Sequence, residues 1–313
     1  MKIGLCGTSN ISRTYLKCFK KLGCEIEIVF GSDLKRLSNF AKSNKIKYFT
    51  NDINELISKK DINCFIIVND PSKHLDVAEI LVKANKHVLI EKPLDVSVNK
   101  IESFRELVKN KNNVVHVVNQ NRFDPQFIRL KKKLDDHLLK NKDITKYAYL
   151  RMFFYRNDDY FHSSNQWKKN YSCPMINQGI HFLDLMIWFF GNFLDVKSFS
   201  QKDNINLKLN DNIIGLVKFE NNVLLNIFSS TSIKRNDIKF EFICDDKIFK
   251  FEKNNSLSRI KNLFSLTTSQ FDLFLDQCKL FVDSVKNNDL SHNNVFQAYN
   301  TVKLAKKLNS VID

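Results

Sequence analysis

Lys92 is the residue whose setting in the sequence points most directly to chemistry. It follows the apolar run HVLI (87–90), stands directly after Glu91 and precedes Pro93. A lysine at the end of a buried strand, beside a carboxylate and a turn-forming proline, has restricted freedom and a pKa that burial can change. Such a side chain can accept or donate a proton in a reaction. The alternative interpretation is an ordinary solvated lysine.

A second group of candidate side chains lies in NQGIHFLDLMIWFFG (177–191), where we predict one helix over about 174–190. On such a helix four side chains recur at spacings of four, three and four and share one face: Asn177, His181, Asp184 and Trp188. His181 could then act as an acid or base, although a hydrogen-bonded core histidine fits the same pattern. No cluster of His, Cys or carboxylate residues supports a metal site, and we expect none.

The turn after the first apolar run has the position of a dinucleotide-binding glycine motif. It reads Gly7, Thr8, Ser9, Asn10, Ile11 and Ser12. A G-x-G-x-x-G turn lets the backbone approach a pyrophosphate at a helix N-terminus, and here only the first glycine is present. Ser9 and Ser12 are small, and their hydroxyls can donate to phosphate. Taken alone, this segment leaves cofactor binding and an ordinary strand-to-helix turn both open.

The residue type that normally binds the adenosine ribose is missing from its expected place. In NAD-binding folds a carboxylate about 20 positions after the glycine motif holds the ribose hydroxyls. After EIEIVF the sequence has Gly31, then Ser32 and Asp33, so the carboxylate comes late. The sequence therefore leaves both NAD and NADP open as the cofactor.

The elements that must position these candidates can be read from the first 120 residues. Short apolar runs alternate there with amphipathic stretches, which predicts a doubly wound parallel sheet with helices on both faces. The right-handed crossover rule places the carboxyl ends of all strands at one edge. Four polar, turn-forming segments follow those strands and are expected to form a ligand-binding edge: 7–12, 69–74, 91–95 and 119–125.

A different pattern begins near Tyr147. Segments with period-two alternation, such as IIGLVKF and VLLNIFSS, are separated by turn pairs and predict neighbouring antiparallel strands. Two helices are predicted at the end, over about 270–285 and 295–308. We therefore predict an α/β chain of two domains, a doubly wound domain over 1–120 and an α+β domain with a largely antiparallel open sheet over 121–313.

Composition restricts the class of protein. The chain has 313 residues, of which 43% are hydrophobic, and it contains neither a membrane-spanning apolar run nor a secretory signal pattern. Seven scattered cysteines without a CxxC pair suggest reduced thiols and a cytoplasmic location. The net charge of +15 comes mostly from dispersed lysines, which favours a basic solvated surface. Attraction to acidic small molecules such as nucleotides is the main alternative, ahead of nucleic-acid binding.

Together these segments resemble the Gfo/Idh/MocA family of oxidoreductases over nearly the whole chain. The matching segments are IGLCGTSNIS, FIIVNDPSKHLDVA, HVLIEKPL, QNRFDP and NQGIHFLDLMIWFFG. The resemblance implies an NAD(P)-dependent enzyme with an N-terminal Rossmann domain (1–120) and a C-terminal α/β domain (121–313) that binds substrate and forms subunit contacts. We expect a homo-oligomer, either a dimer or a tetramer, that uses NAD or NADP and binds neither nucleic acid nor membrane.

The resemblance also implies roles for individual residues. Lys92 would lie near the nicotinamide and the substrate hydroxyl, and His181 would serve as acid, base or orienting group, so these two are the expected catalytic residues. The residues expected to contact substrate are Gln120, Asn121, Arg122, Trp167, Asn177 and Asp184. The residues expected to contact cofactor are Gly7, Thr8, Ser9, Asn10, Ile11, Ser32, Asp33, Asn69, His74, Glu91 and Lys92.

Some positions depart from the family pattern. Many members have aspartate four residues before the helix histidine, where this chain has Asn177, and a glycine pair before the helix is replaced by Ser172 and Cys173. The family's proline after the fourth strand falls at Asp70, although His74 is in place.

The form N-Q-x-I-H resembles the branch that acts on UDP-N-acetylglucosaminuronic acid, in which a sugar hydroxyl is oxidised to a ketone on the way to surface polysaccharides. The resulting hypothesis is hydride transfer between a sugar carbinol carbon and a nicotinamide ring. The alternatives are a dehydrogenase or reductase of a free polyol or another sugar, and an NAD(P)-binding regulatory protein without turnover.

Overall fold

The structure, a computed structural model, describes residues 1–140, 144–162, 167–254 and 269–310. Its strands in chain order are β1 (Lys2–Cys6), β2 (Glu25–Phe30), β3 (Tyr48–Thr50), β4 (Cys64–Ile67), β5 (His87–Ile90), β6 (Val115–Val117), β7 (Lys146–Phe154), β8 (Phe193–Gln201), β9 (Asn212–Phe219), β10 (Val223–Ser230), β11 (Asn236–Cys244) and β12 (Lys247–Asn254). Its helices are α1 (Ser12–Lys21), α2 (Leu34–Asn44), α3 (Ile53–Ser58), α4 (His74–Lys83), α5 (Val98–Lys109), α6 (Pro125–Lys140), α7 (Asp158–His162), α8 (Trp167–Tyr171), α9 (Pro174–Asn177), α10 (Ile180–Phe190), α11 (Gln270–Asn287) and α12 (Val295–Leu308). In the described ranges, no helix is both long and apolar enough to cross a bilayer.

The chain divides into two compact units, and the first combines Met1–Phe123 with Ser269–Tyr299. The second domain predicted from the sequence, 121–313, includes this later segment, whereas the structure groups it with the N-terminal residues. The reason is packing between α1 and α11: the rings of Tyr15 and Phe274 meet edge to face with centroids 5.8 Å apart. Cys278 and Phe281 of α11 are likewise buried in the core of the first unit.

The first unit is built on a parallel sheet with the strand order β3-β2-β1-β4-β5-β6. Every residue of β4 is buried, as expected of a strand covered by helices on both faces. The predicted doubly wound sheet is therefore confirmed. The carboxyl ends of β1, β4, β5 and β6 lie side by side, so the four polar segments that follow them share one edge.

The outer edge of β6 is paired by asparagine side chains instead of another strand. Asn294 Oδ1 accepts from Val117 N over 2.7 Å, and its Nδ2 donates to Val117 O over 2.8 Å. Asn293 Oδ1 accepts from Val115 N over 2.7 Å in the same way. These amides satisfy backbone groups that an edge strand otherwise leaves to water or to another chain.

The second unit contains a six-stranded sheet with the order β12-β11-β7-β10-β9-β8. Four of its pairings are antiparallel and the central one, β7 with β10, is parallel, which confirms the predicted largely antiparallel sheet. Helix α10 packs its Phe189 and Phe190 rings against the sheet phenylalanines Phe240 and Phe242. Four elements of this unit, α6, α7, α8 and β8, were not among the elements predicted from the sequence.

Candidate active site

Gly7 begins the turn between β1 and α1 in a backbone conformation that requires glycine. Its φ is +117°, and a Cβ built on it would lie 2.7 Å from the backbone nitrogen of Asn69. Its own N–H donates to Phe30 O over 2.8 Å. The first glycine of the motif is therefore fixed by close approach of two strand ends, as in a dinucleotide-binding turn.

The two serines of this turn give their hydroxyl hydrogens to the protein itself. Ser12 Oγ, which is buried, donates to Gly7 O over 3.2 Å, and Ser9 Oγ donates to Val68 O over 2.9 Å. The suggestion from the sequence that these hydroxyls donate to phosphate stays a prediction. The free donors are instead backbone amides, because the N–H groups of residues 8–11 have no acceptor in the described part of the chain. Consecutive amides of this kind form an anion-binding concavity.

His74 links the ends of β4 and β5. Its Nδ1 lies 2.9 Å from Pro93 O and its Nε2 lies 3.2 Å from Asn69 O. Burial lowers the pKa of His74 to about 4, although both carbonyls oppose that change, so the ring is neutral at pH 7. A neutral ring donates from one nitrogen only, and the shorter contact assigns that role to Nδ1. His74 therefore holds two turns of the ligand edge together and is not placed as an acid.

Glu91 and Lys92 stand at the centre of the same edge. Tyr15 Oη donates to Glu91 Oε1 over 2.6 Å, and the backbone N–H of Lys92 donates to Glu91 Oε2 over 3.0 Å. Burial raises the pKa of Glu91 and lowers the pKa of Lys92, and the Glu91 charge opposes the change at Lys92. The carboxylate thus fixes the backbone on which Lys92 stands, while burial makes the Lys92 amine easier to deprotonate.

Several buried polar atoms along this edge have no hydrogen-bond partner within the described ranges. They are Asn69 Oδ1 after β4, Asn119 Nδ2 after β6 and Gln120 Oε1 in the 3₁₀ turn Gln120–Phe123. Leaving such an atom unpaired costs about 1–3 kcal/mol, so three of them at one edge indicate a place where a polar ligand supplies the partners. Asn121 and Arg122 belong to the same 3₁₀ turn and are half-buried.

The end of β2 lies beside the turn that Gly7 begins, because Cys6 and Phe30 are paired. Asp33 is the N-cap of α2 and accepts from Arg36 N over 3.0 Å, and Ser32 is exposed. Arg36, which sequence reasoning did not select, places Nη2 2.9 Å from Thr8 O. Together with the free amides and the unpaired polar atoms, these residues fit a nicotinamide dinucleotide laid across the carboxyl ends of the strands.

In the second unit, the helix predicted over 174–190 is two helices. Helix α9 ends at Asn177 and α10 begins at Ile180, and Gly179 N donates to Pro174 O over 2.8 Å. A Cβ on Gly179 would lie 2.6 Å from that same carbonyl, so the bend depends on glycine. The prediction that Asn177 shares one helix face with His181 is therefore wrong. Only the three candidates from His181 onward lie on one helix.

Asn177 belongs to a polar cluster centred on Tyr160. Its Nδ2 lies 2.5 Å from Tyr160 Oη and 3.1 Å from Ser172 Oγ. Two cations face the Tyr160 ring: Lys168 Nζ is 3.9 Å from its centroid and Arg156 Cζ is 5.0 Å from it. Sequence reasoning missed these ring contacts, although the segment YRNDDY directly after β7 signalled a polar turn at a strand end.

The remaining candidates of this unit lie nearby in the chain. His181 is half-buried and Asp184 is buried, one turn apart on α10, and Trp167 begins the short helix α8 and is half-buried. Lys92 belongs to the first unit and His181 to the second, so their cooperation at one reacting group stays a prediction. Within the described ranges, no group of three His, Cys, Asp or Glu residues is placed to hold a metal ion.

Two family models match the chain. "Oxidoreductase family, NAD-binding Rossmann fold" matches residues 1–119, and "GFO/IDH/MocA C-terminal domain" matches residues 136–250. Uncharacterized oxidoreductase YrbE of Bacillus subtilis is 24% identical over 144 residues, which are 44% of this chain and 42% of YrbE. Inositol 2-dehydrogenase of Salmonella paratyphi B is 29% identical over 141 residues, which are 43% of this chain and 41% of that enzyme.

These two alignments span about two fifths of each relative's length. Among solved structures, WlbA dehydrogenase from Bordetella pertussis, in complex with NADH and UDP-GlcNAcA, superposes with a TM-score of 0.83 at 14% identity. That match covers 98% of this chain and 95% of WlbA. At this level of identity the likeness shows a common fold.

Proposed function

The chain belongs to the Gfo/Idh/MocA family of oxidoreductases and carries its NAD-binding Rossmann domain, and from that premise we propose that it oxidises a hydroxyl of a nucleotide sugar to a ketone. A substrate of the UDP-N-acetylglucosaminuronic acid type, used in surface polysaccharide formation, fits best. A nicotinamide dinucleotide, when bound, supplies the hydride acceptor for the carbinol carbon. The residues of the chain bind and orient the sugar and take up the hydroxyl proton.

Lys92 is the residue proposed to accept that proton. Burial lowers the pKa of Lys92. Near pH 8 the Lys92 amine is therefore neutral in a larger fraction of molecules than a solvated lysine would be. Proton removal by a positioned base contributes typically about 100- to 10,000-fold to a rate. His181 is proposed to hydrogen-bond the same hydroxyl, and Asn177 to bind a neighbouring one without adding charge.

The observation that carries this proposal is the buried Glu91 carboxylate at the ligand edge, directly before the half-buried Lys92. Glu91 is 8% exposed and is held by Tyr15 and by the Lys92 backbone. Burying a carboxylate costs free energy, and a neighbouring positive charge offsets only part of that cost. A turn after β5 needs neither a buried carboxylate nor a lysine beside it. A proton-transfer site uses both, because the carboxylate holds the backbone of Lys92 and the Lys92 amine takes up the proton.

An anionic substrate is favoured by the cluster around Asn177. The side chains of Arg156 and Lys168 both face the Tyr160 ring, and Tyr160 contacts Asn177. A guanidinium and an ammonium close to a sugar-binding amide suit a carboxylate or a diphosphate better than an uncharged polyol. Arg122 is proposed as a further contact for that anionic group.

The direct test is a substrate screen with spectrophotometric detection of dinucleotide reduction. The panel contains UDP-sugars, UDP-sugar acids, free sugar acids and inositols. Turnover of a UDP-sugar acid supports the proposal, and turnover restricted to inositols refutes it in favour of the polyol dehydrogenase suggested by the likeness to inositol 2-dehydrogenase. A protein that binds dinucleotide and reduces it with no member of the panel would instead be a regulatory binding protein.

Variants then test the assigned roles. Lys92→Ala and His181→Ala should each lower kcat by at least about 100-fold while the affinity for dinucleotide stays within about threefold. Lys42→Ala, an exposed lysine on α2, is the matched control for loss of one positive charge. Near-normal turnover of both active-site variants would contradict the assignment.

The open sheet of the second unit supports the proposed homo-oligomer. One row of side chains runs across four neighbouring strands: Leu224, Tyr147, Ile243 and Ile248. Each is at least 40% exposed, and Phe199 on β8 of the same sheet is 83% exposed. An exposed apolar row of this kind often packs against a partner. Phe199→Lys should therefore shift the molar mass measured by light scattering toward the monomer, and an unchanged mass would place the contact elsewhere.

A further inference from the structure

The carboxyl end of β2 lacks the group that selects NAD(H). A dinucleotide fold that prefers NAD(H) places a carboxylate there to accept hydrogen bonds from the adenosine ribose, and NADP(H) binding uses a cation instead. Gly31 occupies the position directly after β2, and its N–H donates to Thr50 O over 3.3 Å. The nearest carboxylate in the chain, Asp33, is engaged at the start of α2, where it accepts from Arg36 N.

Arg36 provides the cation. Its Nη2 donates to Thr8 O over 2.9 Å, which ties the guanidinium to the second residue of the turn proposed to hold the pyrophosphate. Arg36 is exposed and forms no ion pair with a carboxylate in the described part of the chain. A guanidinium has five N–H donors, and only one is used here, so the others remain for a ligand.

From this arrangement we propose that the first unit binds NADP(H) more tightly than NAD(H), with Arg36 as the residue that binds the 2′-phosphate. The proposal rests on the proposed function only in requiring that a nicotinamide dinucleotide binds. Ser32, exposed between Gly31 and Asp33, has a hydroxyl that can donate to the same phosphate. Lys35, exposed beside Arg36, adds a second positive charge, and Asp33 is the one acidic side chain among residues 31–36.

The space around Gly31 allows the preference to be reversed by substitution. A Cβ at Gly31 would meet only the side chain of Leu37, at 3.3 Å from Cδ2, and no backbone atom. Gly31→Asp can therefore be accommodated by a small shift of the flexible end of Leu37. It would restore the ribose-binding carboxylate and repel the phosphate.

The experiment measures the dissociation constants of NADPH and NADH separately for the full chain, without sugar, from the fluorescence of the bound nicotinamide. We expect NADPH to bind at least about tenfold more tightly, as one charge-assisted contact to phosphate would give. Arg36→Ala should weaken NADPH by roughly 10- to 100-fold and change NADH by less than about threefold. Arg36→Lys keeps the charge but loses the fork of donors. Its affinity for NADPH should therefore lie between that of the unmodified chain and that of Arg36→Ala.

Controls separate this proposal from others. Gly31→Asp should invert the order of the two affinities, and Lys42→Ala on the same helix should leave their ratio unchanged. Circular dichroism confirms that each variant is folded. Equal or tighter binding of NADH by the unmodified chain, or equal weakening of both cofactors by Arg36→Ala, would overturn the assignment. Tight NADPH binding without oxidation of any sugar would sink the proposed function alone, whereas binding of neither dinucleotide would sink both.

Discussion

The hydrogen bond from Tyr15 to Glu91 allows the ionised state of the buried carboxylate to be tested. The two oxygens are 2.6 Å apart, Tyr15 is fully buried and Glu91 is 8% exposed. Tyr15→Phe removes the donor and keeps the ring. A hydrogen bond to a charged partner contributes about 1.5–3 kcal/mol to stability. We therefore expect the free energy of unfolding of the first unit to fall by about 2 kcal/mol at pH 7. For a unit of about 150 residues this corresponds to a fall in Tm of roughly 4–8 °C.

The loss should depend on pH in a definite direction. Burial raises the pKa of Glu91 above its ordinary value of 4.5, and the Tyr15 hydroxyl opposes that rise. A group whose pKa is raised in the folded state contributes stability that is complete below the unfolded pKa and is lost as the pH rises through the folded pKa. Removing the donor raises the folded pKa further. The difference in free energy of unfolding between the Tyr15→Phe variant and the unmodified protein is therefore largest at neutral pH. It falls to about 1 kcal/mol below pH 4.5.

Scanning calorimetry at pH 7 and at pH 4 measures this difference. Tyr171→Phe is the control, because Tyr171 is 36% exposed and lies outside the proposed subunit contact. Two results would refute the reasoning. An equal fall in Tm at both pH values would mean that Glu91 is not ionised at pH 7, and a fall at pH 7 within about 1 °C would mean that the hydrogen bond is not formed in solution.

Three further changes test the edge of the sheet. Glu91→Gln removes the charge that raises the pKa of Lys92, so the acid limb of the plot of kcat against pH should move to lower pH; an upward shift would contradict the assigned pair. Gly7→Ala should destabilise the first unit by about 1–3 kcal/mol and weaken both dinucleotides in a fluorescence titration, and retained affinity would contradict the turn geometry. Asn294→Ala should reduce the hydrogen-exchange protection of the Val117 amide without changing that of Val88.

Hydrophobic patterning predicted the parallel sheet because its strands are buried on both faces. Such strands read as continuous apolar runs, and CFII and HVLI are buried at nearly every position. The ligand edge followed from the topology, since parallel strands all end on the same side. Lys92 could be selected because a charged pair directly after such a run conflicts with the local burial, and that conflict is visible in the sequence alone.

Features that depend on contacts between distant segments were not predictable in the same way. Pairing of β6 by the amides of Asn293 and Asn294 joins positions more than 170 residues apart, and nothing local distinguishes these asparagines from the many others. The break at Gly179 depends on the Pro174 carbonyl, which lies where a Cβ would be. Helix α6 could have been found, because Phe127, Leu130, Leu134 and Leu138 recur at helical spacing and are buried.

The turn from Gly7 to Ser12 explains why a degenerate glycine motif is compatible with cofactor binding. The second and third glycines of the motif serve close approach and close packing, which are demands on space. Ser12 meets the packing demand while fully buried, because its hydroxyl donates to Gly7 O, and Ser9 donates in the same way to Val68 O. Since both hydroxyls are used internally, they neither add to nor block the backbone amides that face the ligand. Affinity for the pyrophosphate should therefore depend on Gly7 and those amides, and it should survive Ser9→Gly.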